Sequence, residues 1–232
     1  MVKSKSLIWG ISQKADGSMK LSGNKISGKI INNRKNFFSR QKIDLNSLIW
    51  AGEVHGNRVT VVDKRSAGKI IKNCDGLITA DKNIVLAVTV ADCLPVYLYE
   101  PKEKVIGLLH LGWRGLVKKI AVKAVDLIKK HYQINPLQLK VWVGPYIKVC
   151  HYEIKNDLVK NFKNYSSAVI VKNKKIYLDL AKVLIKQLQS RGVVRKNIKI
   201  SRQCTYHSKN YFSYRQDQPK KIETMVAYLG LK

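Results

Sequence analysis

Acidic residues are scarce: 15 Asp and Glu stand against 44 Lys and Arg, a formal net charge of +29 over 232 residues. Such an excess ordinarily points to nucleic acid or an anionic surface, because clustered cations release counterions from phosphate backbones. The distribution argues otherwise. Lysines fall singly or in pairs, as at Lys118-Lys119, Lys129-Lys130 and Lys174-Lys175, with no arginine-rich block. A generally basic solvated surface follows, with no nucleic-acid partner expected, and small anionic substrates would gain from its field. Cysteine is sparse too. Cys74, Cys93, Cys150 and Cys204 are widely spaced in a chain long enough to fold without staples, so reduced thiols and a cytoplasmic protein are expected rather than a disulfide framework. Long hydrophobic runs are missing. Crossing a bilayer takes roughly 20 apolar residues, and the densest window, 84–99, is broken by Asp92 and Pro95. Polar residues 12–14 follow the weakly basic opening before any apolar segment develops, so neither a signal peptide nor a membrane partner is expected.

What is present is a core. Apolar residues make up 45% of the chain, and no repeat, low-complexity tract or linker divides it, so residues 1–232 read as one domain. Short β-rich runs at 59–62, 84–90, 96–99, 105–109, 139–143, 168–171, 176–178 and 198–200 are bounded by polar turns and read as strands. Residues 116–132 place Ile120, Ala121, Ala124, Leu127 and Ile128 on one face, the spacing of an amphipathic helix. Residues 179–190 repeat that pattern, with Asp179 as N-cap and Gly192 just past the end. Strands outnumber helices, which predicts a layered α+β fold of mixed β-sheets flanked by helices.

Three stretches bring potential ligands to strand ends: Glu53-Val54-His55-Gly56, Ala91-Asp92-Cys93-Leu94-Pro95 and His110-Leu111-Gly112-Trp113-Arg114-Gly115. A lone histidine after an apolar run is usually a packed or hydrogen-bonded residue, and so is a lone cysteine. Their coincidence points further. Cys93 closes the longest apolar strand, and His110 ends the next but one. A thiolate with two neutral imidazoles, His55, Cys93 and His110, suits zinc and leaves a fourth position for water or substrate. A metal-free nucleophile and base pair, Cys93 with His110, fits the same residues. Gly112 and Gly115 flank Trp113-Arg114 at the entry of the long helix, where backbone N–H groups and a guanidinium make a candidate anion site; a plain tight turn is the alternative. Asp75 and Asp92 are candidate proton carriers, or else a turn former and a partner for backbone amides or a histidine. Cys150 and His151 are further candidates, with packing the plainer role for Cys150.

In this order the stretches resemble the YfiH family, also known as laccase-domain or polyphenol oxidase-like proteins and as purine nucleoside phosphorylases. The resemblance rests on the three stretches above and on Asp75-Gly76-Leu77-Ile78-Thr79. It also rests on Gly144-Pro145 with Cys150 and Tyr152-Glu153, and on Cys204-Thr205 leading to Phe212-Ser213-Tyr214-Arg215. It implies a YfiH-like fold and zinc-ligand positions at His55, Cys93 and His110. It further implies phosphorolysis of adenosine, inosine or S-methyl-5'-thioadenosine to the base and a sugar 1-phosphate, with adenosine deamination as a companion activity. Purine nucleoside and phosphate are the implied partners; Arg114 and Gly112, of the anion site above, and Arg215 are the candidate phosphate or substrate contacts, and a monomer or homodimer is the expected state. The chain departs from the family pattern at Glu53 for Gln, Leu111 for Ala, Gln216 for a second Arg, Lys220-Lys221 for Thr-Gly and Ile222 for Arg. The departures at 216 and 220–222 fall in the tail, and none alters the triad. Two rivals stay open: a Cys/His hydrolase that edits peptidoglycan precursors, implied by the family name peptidoglycan editing factor, and a copper-dependent polyphenol oxidase. The second sits poorly with only five histidines, since multicopper oxidation needs many more.

Overall fold

Strands buried on both faces need no polar alternation, and the central runs of this chain have none. In the computed structural model, which describes residues 6–21, 27–218 and 222–232, these runs build two stacked mixed sheets. One has five strands in the order β1 (Leu7–Ile11), β14 (Met225–Leu231), β6 (Val85–Val90), β2 (Leu48–Gly52) and β4 (Ile70–Lys72). The other has six: β13 (Ile198–Ile200), β9 (Lys140–Val143), β7 (Leu94–Glu100), β8 (Val105–Leu111), β5 (Gly76–Thr79) and β3 (Val59–Val61). A smaller antiparallel sheet joins β10 (Glu153–Ile154), β12 (Lys175–Leu178) and β11 (Val169–Lys172).

The two-residue period of each strand assigns its side chains to layers. Ile106 and Leu108 of β8, Tyr97 and Tyr99 of β7, Leu86 and Val88 of β6, and Ala227 and Leu229 of β14 fill the space between the large sheets. Their neighbours turn outward. Leu94, Val96, Leu98, Leu109 and Leu111 meet Ile120, Ala124 and Ile128 of α3 (Ile120–Tyr132) and Leu184 and Leu188 of α5 (Leu180–Gln189). On the opposite side, Trp50, Ala87, Val226 and Tyr228 meet Phe37 and Phe38 of α1 (Gly28–Arg40). Helix, sheet, sheet, helix is therefore the layer order, and the predicted α+β class holds. Among the described residues no helix is long and apolar enough to cross a membrane.

The helix read over 116–132 is broken in two. A short α2 (Trp113–Val117) stops at Lys118, and Lys119 takes the left-handed conformation, φ 58°, before α3 begins. The carbonyl of Leu116 accepts the buried Gln187 side-chain amide at 2.8 Å, which holds the break from across the helix layer. Asp179 caps α5 as expected, accepting from the Lys182 N–H at 3.0 Å, and Gly192 beyond its end has φ 87°. Two further short helices, α4 (Asn156–Val159) and α6 (Tyr214–Asp217), lie in the later loops.

Candidate metal centre

The turn at 91–93 carries the chain from β6 in the five-stranded sheet to β7 in the six-stranded one, so it lies at the rim of the space between the sheets. The 53–56 loop leaves β2 at that rim, and β8 delivers His110 to it, opposite Pro95 in the strand register. The three elements bring His55, Cys93 and His110 together: one ligand-capable atom from each lies within 4.8 Å of the other two. The imidazoles of His55 and His110 meet edge to face at 4.7 Å.

One carboxylate fixes two of the three. Asp75, fully buried just before β5, accepts from the backbone N–H groups of His55 and Gly56, both at 2.8 Å, and more weakly from Val54. That clamp holds His55 in a left-handed conformation, φ 55°. Asp75 also faces His110 Nδ1 at 3.1 Å, which leaves Nε2 as the nitrogen that could take an ion. Burial pushes the Asp75 carboxyl up, but His110 and the backbone amides outweigh it and the net direction is down. Asp92 is likewise engaged. Its two oxygens accept the Thr205 hydroxyl at 2.5 Å and the Arg215 N–H at 2.7 Å, while burial drives its pKa above the usual carboxylate range. The oxygens of Asp75 and Asp92, the candidate proton carriers, are thus engaged by loop amides and side chains.

Burial disfavours the Cys93 thiolate, yet His110 and His55 more than compensate, and the thiol falls to about 7. Burial also opposes the His110 imidazolium, but Cys93, Asp75 and Glu53 carry its pKa upward. Such a pair is already matched to a divalent cation, which would take the thiolate and the neutral imidazoles together. Gly112 makes room for the cluster: a Cβ there would stand 2.9 Å from Cys93 Sγ and 3.4 Å from His55 Cδ2. Gly112 opens the five-residue α2, not the long helix, and so short a helix sums little dipole for an anion. Positive charge comes instead from side chains.

The centre floors a cavity of about 530 Å³. Arg114 and Arg215 line it, the first guanidinium 4.5 Å from the Trp113 ring centroid and the second 5.3 Å from that of Tyr152. Arg215 also donates to the Glu153 carbonyl at 2.8 Å, which fixes its direction. Three lining residues, Trp113, Tyr152 and Glu53, stand in the quoted stretches but had no role assigned from the sequence. Glu53 accepts from the Thr89 N–H and hydroxyl, at 2.5 and 3.2 Å, and burial raises its pKa despite the opposing charge of His110. An acid two residues before the candidate ligand His55 was the available signal. Of the divergent tail, Ile222 lines the cavity, whereas Lys220 and Lys221 lie outside the described residues.

Stacked mixed sheets with a Cys/His₂ cluster at their shared rim define an α+β protein with a candidate metal centre. Residues 9–232 match the family described as multi-copper polyphenol oxidoreductase laccase, and the chain belongs to this laccase-like YfiH family. A solved YfiH protein of Bacillus licheniformis is similar with a TM-score of 0.92 and 26% identity, over 100% of this chain and 98% of that one. Purine nucleoside phosphorylase YlmD of Bacillus subtilis is 29% identical over 216 residues, 88% of this chain and 77% of its own. A purine nucleoside phosphorylase of Campylobacter jejuni is 31% identical over 189 residues, 80% of this chain and 79% of its own.

Proposed function

We propose that the chain is a zinc-dependent purine nucleoside phosphorylase acting on adenosine, inosine and S-methyl-5'-thioadenosine, with adenosine deamination as a second activity. The observation that carries this reading is the convergence of His55, Cys93 and His110 on the floor of a cavity that also holds two guanidiniums and two aromatic rings. The names of the relatives support it. The donor set suits zinc, and zinc when bound supplies a Lewis acid with one open position.

The protein's own residues do the rest. Asp75 keeps the proton on Nδ1 of His110 and orients the ring. Trp113 and Tyr152 offer apolar faces against which a purine stacks. Arg114 and Arg215 hold phosphate near the sugar. In phosphorolysis a phosphate oxygen bonds to the ribose C1', the bond from C1' to N9 breaks with its electron pair on the purine, and the purine takes up a proton. In deamination a water oxygen bonds to C6 and ammonia leaves. Glu53 is assigned to carry the proton in deamination, because burial keeps its carboxyl protonated further up the pH scale than usual.

A second reading is favoured by one observation: a Cys93 thiol at about 7 beside His110 is also the pairing of a cysteine hydrolase, suited to an amide in a peptidoglycan precursor. Product analysis separates the readings. Adenosine and inosine are supplied with and without phosphate, before and after chelation, and with zinc or copper restored. The proposal expects sugar 1-phosphate only with phosphate present, inosine from adenosine without it, and both lost on chelation and restored by zinc. Turnover that ignores metal removal contradicts it, and recovery by copper alone with phenol oxidation supports the oxidase.

A further inference from the structure

A second cluster lies apart from the cavity floor, where two loops run side by side. The loops leave β9 and β13, which pair in parallel with Val143 opposite Ile200, and their path continues as a bridge between Tyr146 and Cys204. Thr205 N–H donates to the Tyr146 carbonyl at 3.1 Å, and Ser201 N–H to the Val143 carbonyl at 2.9 Å. This alignment brings Cys150 and His151 of one loop against Cys204 and His207 of the other. One ligand-capable atom from each of the four lies within 4.8 Å of the rest.

The distances have the scale of a shared ion. Cys150 Sγ stands 3.8 Å from Cys204 Sγ, and a tetrahedral zinc with sulfur ligands at about 2.3 Å places two sulfurs about 3.8 Å apart. Cys150 Sγ stands 3.9 Å from His207 Nδ1, against about 3.6 Å for a zinc-bound sulfur and nitrogen, so closure needs a small ring movement. The rings of His151 and His207 meet at 4.2 Å, and His151 Nδ1 is buried without a hydrogen-bond partner. The Lys148 N–H points at Cys204 Sγ from 3.3 Å, the kind of amide contact that supports a ligand thiolate. Lys148 Nζ is drawn off to the Arg202 carbonyl at 3.3 Å. Burial and the neighbouring Cys204 raise the Cys150 thiol, and burial with His207 lowers His151.

We propose that Cys150, His151, Cys204 and His207 form a second metal centre that takes a soft divalent cation of the zinc class and leaves no position open to substrate. Binding forms two bonds to sulfur and two to nitrogen, and the two thiol protons pass to solvent. The cation would pin the 204–207 turn. That turn carries Thr205, whose hydroxyl holds Asp92, the neighbour of Cys93 and the acceptor of the Arg215 N–H. The second centre thus braces one wall of the cavity from behind, whatever reaction the first centre performs.

Titration of the metal-stripped, reduced full chain with Co²⁺ tests this, read by thiolate-to-cobalt absorption alongside elemental analysis after zinc loading. Two equivalents are expected for the unaltered chain. Cys93→Ala should keep one of them, and Cys150→Ser with His207→Ala should keep the other, so failure at one centre is distinguishable from failure at the other. His207 and Cys150 are exposed, which favours folding of that double variant. A single equivalent that disappears in Cys93→Ala overturns the proposal. So does a second equivalent that survives the double variant, or a Cys150–Cys204 disulfide whose reduction yields no further cobalt uptake.

Discussion

Asp75 clamps the 54–56 backbone and faces His110, so its loss should be felt in metal binding. Asp75→Asn is expected to weaken zinc affinity at the first centre by about 10–100-fold, measured by competition with a chromophoric chelator. Cys93 offers a second handle. Its thiolate persists down to about pH 7, so iodoacetamide labelling of the metal-stripped protein should rise with a midpoint near that value, and zinc should protect it. A midpoint in the ordinary thiol range would contradict the ion-paired cluster. The triad itself was legible in the sequence, because thiolate and imidazole chemistry singles out His55, Cys93 and His110. The service of Asp75 was not: its partners are backbone amides 19 to 21 residues away, and amides carry no residue-type signal. Glu53 was hidden differently, since only burial makes that carboxyl unusual.

At the scale of elements, every run read as a strand is one, but six strands went unread: β1, β2, β4, β5, β10 and β14. Leu48–Gly52 and Met225–Leu231 carry one β-branched residue each among Leu, Met, Ala and Gly, so local preference is weak and pairing in the sheet decides their state. The break between α2 and α3 was equally invisible, for it depends on Gln187, an amide 71 residues from the carbonyl it binds. The well-read helix end allows a check. Asp179→Ala removes the cap of α5 and should cost about 1 kcal/mol in urea unfolding. Leu86, fully buried between the sheets that carry the site, is predicted to cost about 2–5 kcal/mol when changed to alanine.

For the whole molecule, a charge of +29 with no basic block makes a diffuse field, one that concentrates small anions around the cavity. Raising salt from about 50 mM to about 500 mM shortens the screening length severalfold. The KM for phosphate should therefore climb while kcat stays nearly level, and a salt-independent KM would mean that Arg114 and Arg215 act without help from the surrounding lysines. Fold class followed from the sequence because apolar runs dictate layers; the meeting of both large sheets at one rim did not, since strand order leaves no mark on composition.

The proposed function requires a catalytic metal held by three side chains from three separate segments, the 53–56 loop, the 91–93 turn and β8. Its most direct test is phosphate-dependent release of purine from inosine by the stripped protein, followed through zinc addition in parallel for the unaltered chain and Cys93→Ala. Zinc should restore turnover in the first and leave the second inactive. Full turnover in the stripped chain, or equal turnover in Cys93→Ala, would contradict it.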